Sequence, residues 1–325
     1  MNAQRVVYMN GEFVPEAEAH VSIYDSALMF GDMVFEMTRS FAGRQFKLHD
    51  HLERLLTGIK ILRIPLELGI DELEEICLET VHRNEPAFAA DDEHRLMLNV
   101  SRGPLSIYAQ VFGEQHPGCT VVVADFPLRW TVQGMGALFE KGINAVIPSQ
   151  RAIPSTLLDA KIKNRSRLHY QMANIEVAQY SGENNWALLL DPDGFIAEGT
   201  GDNFFVVKDG QLATPEGRNI LRGVSRGYVM ELAAGLDLGV RERNLEAYDA
   251  HAADEAFMTG TPFCILPVTR LNGLPIGDGA VGPVTARLLA AWSETVGVDI
   301  VAQIKAWDAA GAAGGAQGPS PYSFQ

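Results

Sequence analysis

The chain has 325 residues, 47% hydrophobic and 21% charged, the proportions of a soluble globular protein long enough for two domains with cores of their own. Lys and Arg number 26 against 41 Asp and Glu, a net charge of -15 that opposes binding to nucleic acid or an anionic membrane over most of the surface. Cys77, Cys119 and Cys264 are odd in number, far apart and without a CxxC pair, which excludes a disulfide framework and a zinc site and fits a reducing cytoplasm.

The first residues, MNAQRVVYMNGEFV, have polar breaks and no continuous apolar run, so neither a signal peptide nor a membrane span is expected there. RVVYMNGEFV instead predicts a hairpin about Asn10-Gly11, and MVFEMTRSFAGRQFKL a second about Ala42-Gly43. Leu52, Leu55, Leu56, Ile59 and Leu62 recur at helical spacing from about Asp50. DELEEICLETVHR predicts another helix, with Asp71 as its cap. RLMLNVSRG and GCTVVVADFPL predict strands, which makes residues 1–128 a small α+β domain. RWTVQGMGALFEKG, residues 129–142, has the composition of a linker.

The second portion, 143–308, opens on the strand INAVIPSQ and passes through the basic segment DAKIKNRSRLHY into a helix. WALLLDPDGFIAEG and NFFVVKDGQLATP predict hairpins about Pro192-Asp193-Gly194 and Asp209-Gly210. A helix follows at GVSRGYVMELAAGL, a buried strand at DEAFMTGT, and a last helix at PVTARLLAAWSETV with Pro283 in its first turn. Residues 309–325 are rich in Gly, Ala and Pro, the composition of a flexible tail. No internal repeat, GxGxxG or P-loop is present.

Three stretches of the second portion carry chemistry. EGTGDNFF places Glu198 at the end of one hairpin strand and Asn203 at the start of the next; alone it is a glycine-rich connection with a solvated carboxylate. In LRGVSR, Gly223 and Val224 open a helix with Ser225 in its first turn, where free amides make an anion site; alone it is a capped helix. TGTPF, from Thr259, follows a buried strand with a small-residue loop.

Together, EGTGDNFF, LAT and LRGVSR resemble the signature of the class IV, or fold type IV, pyridoxal-phosphate-dependent aminotransferases. FGDMVFEMTRSFAG is similar to that family's GDGVFETIR segment, FKLHDHLERL to its F-x-L-x-x-H-x-x-R-L helix, and MTGTPFCILPV to its GT-x-x-x-I-x-PV segment. The likeness spans about residues 6–295 and implies the fold type IV architecture, a small α+β N-terminal domain and a larger β-barrel-like C-terminal domain. It implies pyridoxal 5'-phosphate as cofactor, an amino donor and a 2-oxo acid acceptor as substrates, and a homodimer. Glu198 matches the family's ring-nitrogen carboxylate and Arg54 its phosphate arginine. Val224, Ser225 and Thr261 fall in its phosphate cradle, and Leu221 matches the side chain packed on the ring.

The family also needs a lysine that holds the cofactor covalently and moves the substrate proton. Lys163 fits its spacing to Glu176 without a gap. Lys161 needs an insertion, although DAK resembles the D-I-K of some D-amino acid enzymes. Lys161, Arg165 and Arg167 are then expected at the surface or a dimer interface, with His51 as a structural partner of the site. His169 and Tyr170 are placed either near the cofactor's phenolic oxygen or in ordinary packing.

For the substrate, Phe35 and Arg39 match branched-chain enzymes, and Arg95 falls where they carry Tyr-x-Arg, without the tyrosine. The Arg-x-His of D-amino acid enzymes is missing after SRG. The resemblance therefore favours a branched-chain L-amino acid transaminase, with a D-amino acid or (R)-amine transaminase and an aminodeoxychorismate lyase-type enzyme as alternatives. Tyr108, in GPLSIYAQVF, is expected either to reach across a dimer interface towards substrate or to pack locally.

Overall fold

Asn10 and Gly11 both take positive φ, 51° and 102°, as a two-residue hairpin demands, and join β1 (Val6–Met9) to β2 (Glu12–Pro15). The structure is a computed structural model, and its described residues are 4–112 and 118–312. It divides into two units: Met1–Leu128 with Ile162–Arg167, and Arg129–Lys161 with Leu168–Gln325.

The first unit continues with α1 (Ser26–Phe30), β3 (Met33–Met37), the β4–β5 ribbon (Ser40–Phe41, Arg44–Gln45) and α2 (Leu48–Leu62). Then come α3 (Ile70–Asn84), β6 (His94–Ser101), α4 (Ala109–Phe112) and β7 (Thr120–Pro127). An antiparallel sheet in the order β2-β1-β7-β6-β3 is its spine. Alternation along the strands sends Val34, Leu96, Leu98, Val100, Val121 and Val123 into one core with Leu52, Leu55 and Ile59 of α2 and Leu73, Cys77 and Val81 of α3. Phe35 and Met37, out of phase with Val34, pair with Asn99 and Met97 on the opposite face. Helix α3 starts one residue before Asp71. Its N-cap is Gly69, whose N–H donates to Glu72 Oε2 at 2.8 Å, so Asp71 sits in the first turn and is not the cap.

Strand β3 is the sheet's edge, and the segment 162–167 runs along it. The N–H of Phe35 donates to the Lys163 carbonyl at 2.9 Å, and the N–H of Arg165 to the Met33 carbonyl at 3.0 Å. An exposed edge is an invitation to pairing, and the chain's own basic segment fills it.

In the second unit the expected linker holds two short helices, α5 (Arg129–Val132) and α6 (Leu138–Lys141), because Asp308 draws in the N–H groups of Gly134 and Gly136. The chain goes on through β8 (Ile143–Val146), α7 (Leu168–Val177), β9 (Asn185–Leu190), β10 (Ile196–Gly199), β11 (Asn203–Lys208), β12 (Gln211–Thr214) and α8 (Val224–Gly235). It ends with β13 (Val240–Glu242), α9 (Ala247–His251), β14 (Glu255–Gly260), β15 (Cys264–Leu271), β16 (Leu274–Pro275), α10 (Pro283–Val296) and α11 (Ile300–Ala312). The helix α11 runs past residue 309, and residues 313–325 lie outside the described ones.

The strands follow the order β10-β9-β8-β15-β14-β11, and β11 pairs back to β10 through Glu198 and Asn203. That pairing closes these six strands into a barrel, with β12 and β13 continuing outward from β11. All three cysteines are free. Among the described residues no helix is long and apolar enough to cross a membrane.

Asp25 is the hydrogen-bond hub of the first unit. Wholly buried, it accepts from the Ala27 N–H (2.8 Å), the Ser101 hydroxyl (2.7 Å) and the Thr120 hydroxyl (2.6 Å), tying α1 to β6 and β7. Asp25→Ala strands three donors, so a loss of about 3 kcal/mol is expected at roughly 1 kcal/mol per buried bond. A urea midpoint that falls at unchanged slope would bear this out; an unmoved midpoint would refute it.

Candidate active site

On α2, His51 and Arg54 lie one turn apart and both reach Glu36 of β3, which is wholly buried. Arg54 donates from Nε to Oε1 at 2.6 Å and from Nη2 to Oε2 at 2.7 Å, a two-bond clamp that fixes the guanidinium plane. His51 Nδ1 lies 2.7 Å from Oε2. Burial works to raise the Glu36 carboxyl, but the charge of Arg54 and the hydrogen bonds from Arg54 and His51 overcome it and hold it far below the usual carboxylate range. An ionised carboxylate only accepts, so Nδ1 carries the proton. Burial outweighs Glu36 at His51 and, with the charges of Arg54 and Lys163, keeps the ring's proton affinity low. Glu36 carries no motif of its own in sequence; its only signal was a place two strand steps from Val34 in a segment similar to the family's.

Lys163 Nζ is 5.0 Å from the centroid of the Phe35 ring. The same ring meets Arg165 at 3.7 Å and Arg167 at 5.0 Å. Arg165 also donates from Nε and Nη2 to Asn99 Oδ1, at 3.1 and 2.8 Å. Both arginines are therefore half-buried against Phe35 rather than standing on the surface. Lys161 belongs to the other unit, where it pairs with Asp159 at 2.7 Å and donates to the Arg218 carbonyl.

Two further arginines are buried on the first unit. Arg39 stacks at 3.8 Å over Phe41 and donates from Nε to the Ser40 carbonyl. Arg95 reaches Met37 Sδ with Nη2 at 3.7 Å, and among the described residues its Nε and Nη1 meet no hydrogen-bond partner. Burial, and then the charge of Arg39, bring Arg95 down to about 10, so it is still a cation at neutral pH. A buried cation with two unused donors is a seat for an anion. Tyr108 stacks on Tyr24 at 4.8 Å within the same unit, while Ile107 beside it is 75% exposed.

In the second unit, Glu198 is 4% exposed at the barrel seam. It accepts from the Tyr170 hydroxyl (2.7 Å), Asn203 Nδ2 (3.1 Å) and the Leu221 N–H (2.9 Å), so the carboxylate is buried with its charge matched. This is not the solvated glutamate that the glycine-rich stretch alone allowed. Tyr170 of α7 serves that carboxylate, and His169 stacks on it at 4.1 Å. Asn203 also donates to the Leu221 carbonyl at 2.9 Å, pinning the turn before α8. A side chain at Gly223 would stand 2.2 Å from Asn203 Oδ1, so glycine is needed there as the N-cap. No side chain caps α8, leaving the first-turn amides of Val224 and Ser225 for an anion. Thr261 is half-buried in the turn from β14 to β15. Among the described residues no group of side chains could hold a metal ion.

The sequence matches the family described as amino-transferase class IV over residues 33–271. A Methanocaldococcus jannaschii protein that provisionally bears the name branched-chain-amino-acid aminotransferase is 36% identical over 283 residues, 87% of this chain and 93% of its own. The branched-chain-amino-acid aminotransferase of Salmonella typhimurium is 33% identical over 290 residues, 87% of this chain and 90% of its own. Among solved structures, the Escherichia coli branched-chain amino acid aminotransferase superposes with a TM-score of 0.79 at 29% identity, covering 90% of this chain and 94% of that one. The Thermobaculum terrenum branched-chain amino acid aminotransferase in its PLP-bound holo-form gives 0.77 at 25%, covering 95% and 98%.

The chain belongs to the class IV aminotransferases. It is an aminotransferase of fold type IV, and its cofactor is pyridoxal 5'-phosphate. The residues present fit that group. In the second unit a held carboxylate suits a ring nitrogen and a helix start with uncapped amides suits a phosphate; in the first, an oriented arginine and a lysine are groups of the kind the cofactor takes.

Glu36→Ala would leave Arg54 and His51 without their counter-charge. Breaking a buried pair costs on the order of 3–5 kcal/mol, and Arg54 is slightly exposed, so about 3 kcal/mol of stability should go. The folded-state proton affinity of Glu36 is depressed, so its contribution is full above the ordinary carboxylate range and is lost as the pH falls below about 4. The mutant and wild-type melting temperatures should therefore converge in acid; a constant gap from pH 7 to pH 3 would count against the pairing.

Proposed function

We propose that the protein moves an amino group between a branched-chain L-amino acid and a dicarboxylic 2-oxo acid such as 2-oxoglutarate. The observation that carries the acceptor is Arg95, a buried cation with Nε and Nη1 unused, next to the charge of Arg39. A second carboxylate on the acceptor meets that need; the apolar chain of the amino donor, set on Phe35 and Met37, leaves Arg95 alone. The branched-chain donor rests on the names of the relatives.

When bound, pyridoxal phosphate supplies an aldehyde carbon for a lysine and a protonated ring that draws electrons from the substrate's Cα. Lys163 is the residue we assign to hold that carbon and to move the Cα proton on its Nζ. The main chain ties it to β3 on one side, and Phe35 and its cationic neighbours surround the ammonium. Lys161, already matched by Asp159, is not offered for that task. Glu198 keeps the ring nitrogen protonated, because its three donors favour the charged carboxylate. Val224, Ser225 and Thr261 would hold the phosphate, and Arg54, whose guanidinium Glu36 orients, is assigned to it on the family resemblance. Leu221 would pack on the ring, its backbone fixed at both ends by Glu198 and Asn203.

We assign the working form to a homodimer. Ile23, Leu28, Phe30, Ile107 and Val111 are all more than half exposed, on α1, α4 and the turns beside them. Tyr24 packs on Tyr108 at a tilt and meets Phe112 edge to face, which makes these turns one patch. Apolar patches of this kind mark interfaces. Tyr108 packs on Tyr24 and so shapes the patch from below.

Lys163→Ala should remove the visible absorption of lysine-bound cofactor and nearly all turnover, whereas Lys161→Ala should keep both; the reverse pattern would transfer the role to Lys161. Arg95→Leu should raise KM for 2-oxoglutarate at least tenfold, about 1.4 kcal/mol, with a smaller change for a 2-oxo acid lacking the second carboxylate. Equal losses for both acceptors would remove Arg95 from acceptor recognition. A panel of L-amino acids, D-amino acids and (R)-amines decides the donor, and a protein that releases pyruvate without an acceptor would be a lyase instead. Phe30→Asp with Ile107→Asp should lower the sedimenting mass from dimer to monomer.

A further inference from the structure

The seam of the barrel carries two carboxylates within five residues, Glu198-Gly199-Thr200-Gly201-Asp202. Both are buried, at 4% and 8% exposure, yet they are provided for unequally. Glu198 has the Tyr170 hydroxyl, the Asn203 amide and the Leu221 N–H. Asp202 has the N–H of Gly201, and among the described residues its Oδ1 has no hydrogen-bond partner. A side chain on Gly199 would stand 2.0 Å from that same Oδ1, so the turn is built to admit the Asp202 carboxyl against the main chain next to Glu198. Tyr170 from α7 and Asn203 from β11 both turn to Glu198, and the charged group acting on Asp202 is Glu198 itself.

Two buried carboxylates this close do not both ionise cheaply, and the one with fewer donors keeps the proton. Burial first, and then the charge of Glu198, push Asp202 up to about 8. At neutral pH it is an uncharged acid.

We propose that Asp202 is a positioning residue that acts through Glu198: as a neutral acid it leaves Glu198 the single negative charge of the seam, and it releases its proton to solvent when a cation settles against Glu198. The step is an O–H bond broken at Asp202 with the proton passed to buffer, so no other reactant is required. The cation is the protonated pyridine nitrogen, which rests on the assignment of Glu198 made above. Once Asp202 is charged, the seam holds that cation with two negative charges instead of one. The reserve charge also has a cost. Because the folded protein binds this proton more tightly than the unfolded chain does, stability attributable to Asp202 falls as pH rises from about 4 to 8 and stays low above that.

Carboxyl-labelled aspartate, with Asp202→Asn to assign the resonance, lets the titration of Asp202 be followed by carbon NMR in the full chain. In cofactor-free protein the midpoint should lie near 8, fall by at least one pH unit in Glu198→Gln, and fall again in wild type when pyridoxal phosphate is added. Asp202→Asn should melt at a higher temperature than wild type at pH 9, with the difference vanishing near pH 4. A wild-type midpoint in the ordinary carboxylate range, a midpoint unmoved in Glu198→Gln, or one unmoved by pyridoxal phosphate would each overturn the proposal. Normal turnover by Glu198→Gln with the midpoint still shifted would instead unseat Glu198 from the ring nitrogen and leave the charge coupling standing.

Discussion

Glu198 sits where the barrel closes, and burying its charge there sets the terms for the residues around it. A carboxylate removed from water costs several kcal/mol unless donors replace the solvent. Two of the residues that meet this demand also hold the surrounding chain. Asn203 is the partner by which β11 pairs to β10, and its amide reaches both Glu198 and the Leu221 carbonyl. Leu221 answers with its own N–H, which fixes the turn before α8. The crowding of Asn203 against position 223 then demands glycine, and the helix opens with bare amides at Val224. One buried charge thus fixes the turn at Leu221 and the open start of α8 in a single stretch of chain.

The first unit applies the same rule with the sign reversed. Arg54 and His51 are drawn into the protein by Glu36, and because Glu36 takes both Nε and Nη2 the guanidinium cannot swing. The histidine gives its Nδ1 proton to the same carboxylate and adds no charge of its own at neutral pH. Arg95 departs from the rule. Among the described residues its Nε and Nη1 meet no hydrogen-bond partner, and burial, then the charge of Arg39, lowers the proton affinity of its guanidinium. A buried cation with unused donors is a candidate place for a ligand's charge.

Much of the architecture was legible in the sequence, because hairpins with Asn-Gly, Ala-Gly and Asp-Gly turns and helices with regular apolar stripes declare themselves locally. The cap of α3 was misplaced by two residues, since Gly69 has no side chain to signal its role and Glu72 reaches back from the next turn. The short helices of 129–142 were missed because Asp308, far away in the chain, organises them. In the site, the glycines, Glu198 and Asp202 stand together in one motif, Glu36 lies in a segment similar to the family's, and Tyr170 is placed either near the cofactor or in packing, but what Glu36, Tyr170 and Asp202 bind to is not legible there. Their importance comes from partners 18, 28 and 4 residues away, a distribution no local pattern records. Arg165 and Arg167, expected at the surface or a dimer interface, are half-buried, and only the fold shows them over Phe35.

The distribution of charge also bears on how an acidic chain takes an anionic cofactor and anionic substrates. A net charge of -15 repels them at long range, but at physiological salt that field is screened within about 8 Å. What remains at contact is the local set, and it is cationic on the first unit: Lys163, Arg165 and Arg167 about Phe35, and Arg39 beside Arg95. These groups are half-buried or buried, where the lower dielectric makes each charge count for more than a surface lysine does. Solubility and binding are therefore governed by different charges at different depths. Changing the surface acids should alter association rates and their salt dependence, whereas the affinity for a carboxylate rests on the few cations the fold has taken out of water.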